Sequence, residues 1–66
     1  MITAEWVRER VAEIRAMADD DEVAHSEEDS LRQAVLAAIA EGAPNAAELA
    51  SEALKTSQIR FARWCA

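Results

Sequence analysis

A chain of 66 residues with a net charge of −6 is one small domain at most, and chains this short bury a modest share of their surface. One cysteine rules out an internal disulfide and one histidine leaves a metal few ligands, so self-association stays open as a source of added stability. The acidic balance argues against nucleic acid and anionic membrane as partners, and no run approaches the ~20 apolar residues of a membrane span.

A lone thiol suits a reducing compartment, and a cytoplasmic location is expected. The first five residues, Met1 to Glu5, hold no basic region and no apolar block, so no secretion signal is expected there. Alanine is frequent, while glycine and proline occur once each, which favours helix throughout and argues against sheet.

Thr3 is placed to cap a first helix over about Thr3–Ala18. Val7, Val11, Ile14 and Ala18 form its apolar stripe, with Trp6 and Met17 at the edge. Asp19-Asp20-Asp21-Glu22 ends that pattern, because carboxylates are unfavourable at the negative end of a helix and favourable at the start of the next. The second helix begins either near Asp20 or at Ser26, where Ser26-Glu27-Glu28-Asp29 resembles a capping box. Ala24, in phase with Leu31 and Val35, slightly favours the longer version.

Leu31–Ala40 is the longest nearly uncharged apolar run, and Leu31, Val35 and Ile39 mark its inner face. Val35 and Ile39 are the expected core positions. Leu36, Ala37 and Ala40 extend the apolar surface round the side, so this helix should have a neighbour on each flank. Gly42 and Pro44 supply strong stop chemistry. Asn45-Ala46-Ala47-Glu48 reads as a capping box for a third helix with Ala46, Leu49, Ala50, Ala53 and Leu54 on its stripe. Beyond Lys55 the pattern blurs. Either this helix runs on to the tail, or it breaks near Thr56-Ser57 and a short fourth helix follows. The fold class is therefore all-α: a small antiparallel three-helix bundle spanning 1–66, with or without that fourth element.

Charge is unevenly distributed. Residues 19–30 hold seven acids and no base, whereas three bases and no acid follow from Lys55 onward. Short connections make successive helices antiparallel, which brings the acidic segment and the basic tail to one end of the bundle. A clasp between them is expected to order the tail, with Phe61 and Ile59 inside and one Trp at the rim.

No motif carries specific chemistry. The acidic run lacks the alternating acids and central glycine of a calcium loop. Glu22 and His25 have the Glu-x-x-His spacing of di-iron bundles, but those use it twice with two further Glu, so only an oligomer with Glu48 or Glu52 would complete a metal site. Cys65 with His25 as nucleophile and base lacks an oxyanion donor. No cofactor, catalytic residue or enzymatic activity is expected.

His25-Ser26-Glu27-Glu28-Asp29, Val35-Leu36-Ala37-Ala38-Ile39-Ala40-Glu41-Gly42 and Phe61-Ala62-Arg63-Trp64-Cys65-Ala66 give the chain a resemblance to small uncharacterised helical proteins of actinobacteria and their phages. The resemblance implies a cytoplasmic protein of phage or prophage origin and supplies no activity. The expected role is a non-catalytic protein-interaction module, a modulator of a host protein, with self-association open. Its expected surface is the end carrying Asp19, Asp20, Asp21, Glu22, Arg60, Arg63 and Trp64. Two other classes stand beside it. One is an acidic mimic of nucleic acid, which would need its carboxylates spread along a face rather than gathered at one end. The other is a metal-binding helical oligomer built on Glu22 and His25.

Overall fold

Thr3 starts the fold. Its Oγ1 accepts from the Trp6 amide at 3.1 Å and satisfies one free N–H of the first turn, so α1 runs Ala4–Ala16. The computed structural model describes residues 2–63, and Trp64, Cys65 and the readings placed on them lie outside that range. Residues Met17 to Asp20 form a turn in which the Asp20 amide donates to the Met17 carbonyl at 3.0 Å. The helix therefore stops two residues short of Ala18.

The next helix, α2, covers Asp21–Ala40. Asp20 is its cap, with Oδ1 accepting from the Val23 amide at 3.2 Å, and Asp21 and Glu22 sit in the first turn where the helix dipole favours them. Of the two starts open to the sequence, the longer one is realised, and Ser26 is an exposed residue inside the helix. Asp20→Ala should accordingly cost about 1 kcal/mol in urea denaturation. Ser26→Ala should be neutral or slightly stabilising, because alanine has the higher helix propensity.

The end of α2 is a paired closure. The Gly42 amide donates to the Ile39 carbonyl at 3.0 Å and the Ala43 amide to the Ala38 carbonyl at 3.1 Å. This requires the left-handed backbone that Gly42 adopts at φ 92°. The third helix, α3, spans Ala46–Leu54. The capping box expected there does not form, since the Asn45 side chain makes no cap bond. Glu48 turns instead to Arg8, 3.5 Å away on α1. Thr56 and Ser57 end α3 by competing for its carbonyls: Thr56 Oγ1 donates to Ala53 at 3.1 Å and Ser57 Oγ to Leu54 at 2.7 Å. A 3-10 turn over Lys55–Gln58 follows, in place of a continued or fourth α-helix.

The three helices pack up–down–up. Arg8, early in α1, lies beside Glu48 and Glu52 of α3, and Arg15, near the end of α1, shares a groove with Lys55 just past α3, so those two run parallel. Ile2, before α1, lies beside Ala38 and Gly42 at the end of α2, while Ile14, near the end of α1, lies beside Glu27 and Leu31, so α2 runs against both. Between them lie Val7, Val11 and Ile14 of α1, Leu31 and Val35 of α2, and Leu49 and Ala53 of α3, closed at one end by Ile59. Each such side chain contributes roughly 1.5–3 kcal/mol by leaving water, with the alanines contributing less.

Two expectations about the core are corrected. Ile39 is only partly buried, packed against the core from its edge, whereas Val35 is buried. Leu36 and Leu54 are 65% and 62% exposed, although the helical period puts Leu36 on the apolar surface of α2 and Leu54 on the stripe of α3. A three-helix arrangement covers α2 on two flanks, and its outer face points away from both neighbours.

Candidate interaction surfaces

At the acidic end of the bundle, Glu28 is buried to 1% exposure. It stands in the apolar stripe of α2, between Ala24 and Leu31, which are both core. A carboxylate there is tolerable only if paired and hydrogen-bonded. The partner is Arg63. Its Nε lies 2.9 Å from Glu28 Oε1 and its Nη2 2.9 Å from Oε2, a bidentate pairing. Nη2 also reaches the Thr56 carbonyl at 2.7 Å and the Ile59 carbonyl at 3.2 Å, so its two protons serve three acceptors. Arg32 adds a second positive charge, with Nη2 3.6 Å from Glu28 Oε2 and 3.3 Å from Thr56 Oγ1. The Thr56 hydroxyl is itself fully buried and has the Ala53 carbonyl and the Glu28 carboxylate as acceptors for its one proton.

This network holds an extended arm, residues 59–63, against α2. Ile59 is inserted into the core, the Ala62 amide donates to Asp21 Oδ1 at 3.0 Å, and the Arg63 guanidinium stacks 3.9 Å over the half-buried Phe61 ring. Burial pushes the Glu28 carboxyl up. Hydrogen bonds from Arg63 and Thr56, with the charges of Arg32 and Arg63, outweigh burial and hold it below the usual carboxylate range. The same pairing raises the Arg63 guanidinium, which burial alone would lower.

A carboxyl that binds its proton less tightly when folded stabilises the fold above its unfolded value of about 4.3. That contribution is lost as pH falls into the acid range below it. Glu28→Gln should therefore flatten the acid limb of the stability–pH curve, read by urea midpoints between pH 3 and pH 7. An unchanged limb would show that the arm is not held by this charge.

The expected site residues divide. Asp21 and Arg63 are brought together by the arm, through the Ala62 amide and Glu28 respectively. Asp20 is a cap. Asp19, Glu22 and Arg60 are exposed. Lys55 faces Glu52 at 2.9 Å rather than the acidic run. Glu52 is held below the usual range, first by the Lys55 hydrogen bond and against partial burial, with Arg8 adding to the effect. His25 Nε2 lies 3.5 Å from Asp29 Oδ2, one turn along α2. Among the described residues no three His, Cys, Asp or Glu side chains are grouped as a metal would require.

The second surface is apolar. A groove of about 250 Å³ runs between α2 and α3, lined by Arg32, Val35, Leu36, Ile39, Ala50 and Leu54 among others. It adjoins the outer face of α2, where Gln33, Leu36, Ala37 and Ala40 are exposed at positions i, i+3, i+4 and i+7. From Gln33 to Ala40 no residue is charged. Comparison with family models, with curated proteins and with solved structures found no significant match to this chain. No helix of the described residues is long and apolar enough to cross a membrane.

Proposed function

We propose that this chain is a non-catalytic protein-interaction module whose contact surface is the outer face of α2 with the adjoining α2/α3 groove. The observation that carries the reading is the exposure of Leu36, inside the uncharged run 33–40, and of Leu54 across the same groove. Elsewhere the chain is densely charged, and its basic tail is engaged internally through Arg63 and Glu28. Exposed leucines on a neutral helix face lower the free energy of a complex by leaving water, and rim charges tune its specificity. A cytoplasmic modulator of a host protein, of phage or prophage origin, agrees with the small size and with the resemblance in the sequence.

The test is affinity capture from an actinobacterial lysate with wild-type bait and with a Leu36→Lys, Leu54→Lys double variant. Both side chains are exposed, so the variant should keep its fold by circular dichroism. A protein captured by the wild type and lost with the variant supports this surface. Equal capture by both overturns it. Capture that weakens steeply as salt rises would favour the exposed carboxylates Asp19, Asp20 and Glu22 as the binding surface, and with them the nucleic-acid mimic.

A further inference from the structure

We propose that residues 60–63, the outer part of the arm, form a strap that swings away from α2 as a unit while the three helices stay folded, and that Glu28 is then handed from Arg63 to Arg32. The device is separate from the α2 outer face and does not depend on the reading of that face.

The first supporting observation is what holds the strap. Ile59 is 6% exposed and belongs to the core, whereas none of residues 60–63 is buried. Phe61 packs against the core only from its edge. The other attachments are polar: the Ala62 amide on Asp21, and the Arg63 guanidinium on Glu28 and on the carbonyls of Thr56 and Ile59. The stack of Arg63 on Phe61 lies within the strap and travels with it. Ile59 is held differently, by burial and by its amide, which donates to the Thr56 carbonyl at 3.0 Å. The pivot therefore falls between Ile59 and Arg60. A segment that exposes little apolar surface on leaving opens locally at a lower free energy than the whole domain.

The second observation is that one carboxylate serves two guanidinium groups. Arg63 takes both oxygens of Glu28 at 2.9 Å, and Arg32 is left 3.6 Å from Oε2. The Arg32 Nε is buried and finds no acceptor among the described residues. A buried donor without an acceptor is costly, and the two like charges repel each other across the shared acid. Arg32 thus makes less than its full set of contacts while the strap is closed. Glu28 and Arg32 stand at i and i+4 with the acid first, the order a helix favours. When Arg63 leaves, side-chain rotation alone brings the carboxylate onto Arg32. Opening then strands no unpaired charge in the bundle, which is what would otherwise couple it to unfolding. The closed form stays the major one, because there Glu28 keeps both cations.

Amide exchange with solvent, read residue by residue by NMR on the full chain, tests the strap. Ala62 should be protected roughly 10- to 100-fold relative to an unstructured peptide, and Ile59 should exchange as slowly as Val35, at least about tenfold more slowly than Ala62. Equal protection at Ala62 and Ile59 overturns the strap. So does an unprotected Ala62, which would mean that the strap is not closed in solution. Arg32→Gln tests the handover by its sign. The open form loses its partner for Glu28, while the closed form keeps Arg63. Protection at Ala62 should therefore rise, by about two- to threefold, with no rise at Val35. If Arg32 were only a further support of the closed strap, protection at Ala62 would fall. A fall or no change overturns the handover. The Arg32 side chain is 41% exposed, so the variant should keep its fold, with circular dichroism as the check. The wild-type comparison of Ala62 with Ile59 needs no variant.

Discussion

Val35→Asp should leave the chain unfolded at room temperature, whereas Leu36→Asp, one residue away, should melt within a few degrees of wild type. Val35 is 3% exposed and Leu36 is 65% exposed. The two are separated by about 100° around α2, which points one into the bundle and the other out of it. An aspartate at position 35 would put a carboxylate into the cluster that holds Leu31, Leu49 and Ala53. Such a charge costs about 3–5 kcal/mol or forces protonation. A domain of this size has only about 3–10 kcal/mol in total. At position 36 the carboxylate stays in water, and the loss is confined to helix propensity and partial contacts, below about 1 kcal/mol. Thermal melts followed by circular dichroism compare the two directly. Equal loss in both would place Leu36 in the core and remove the exposed face from consideration.

Arg63→Ala should be the most damaging substitution at a solvent-accessible position. It leaves Glu28 buried with only Arg32 at 3.6 Å and the Thr56 hydroxyl nearby. Breaking a fully buried pair from one side costs about 3–5 kcal/mol. The Arg63 side chain is 32% exposed, so water screens part of the interaction and about 2 kcal/mol is the expected loss. For a domain this small that lowers the melting temperature by roughly 10 °C. Arg63→Lys should recover little of it, since an ammonium cannot reach both carboxylate oxygens and the Thr56 carbonyl from one place. Glu28→Leu is the informative complement. It removes the buried charge and lets Arg63 turn to solvent, so it should cost less than Arg63→Ala. The reverse order would mean that the arm, rather than the carboxylate, carries the stability of this end.

The order of these two effects follows from geometry that the sequence displays only in part. The three helices, the cap at Thr3, the glycine closure at Gly42 and the core status of Val35 are written in local chemistry: hydrophobic period, side-chain acceptors and backbone freedom. They depend on residues within about four positions of one another, the range over which a helix makes its contacts. Glu28 was also legible in phase, standing between Ala24 and Leu31 on the buried stripe. Its place in an acidic run gave it the look of a helix-start residue, and nothing nearby in sequence announces its partner thirty-five residues on. Thr56 reads as a break in the sequence, which it is, yet its full burial beside Glu28 and Arg32 of α2 is nowhere announced by its sequence neighbours.

By itself the sequence determined the all-α class, three helical stretches and the convergence of acidic and basic residues at one end, but it left open where α2 begins and whether the third helix runs on or a fourth follows. Only the tertiary structure decided which acid is buried, which base holds it, and which apolar residues stay outside. Helical period assigns a residue to a face, but three helices in contact cover only the faces that happen to meet. Leu36 and Leu54 lie on apolar arcs wider than their neighbours can cover, and Glu28 lies on an arc closed by Arg63 of the arm and Thr56 of the turn after α3.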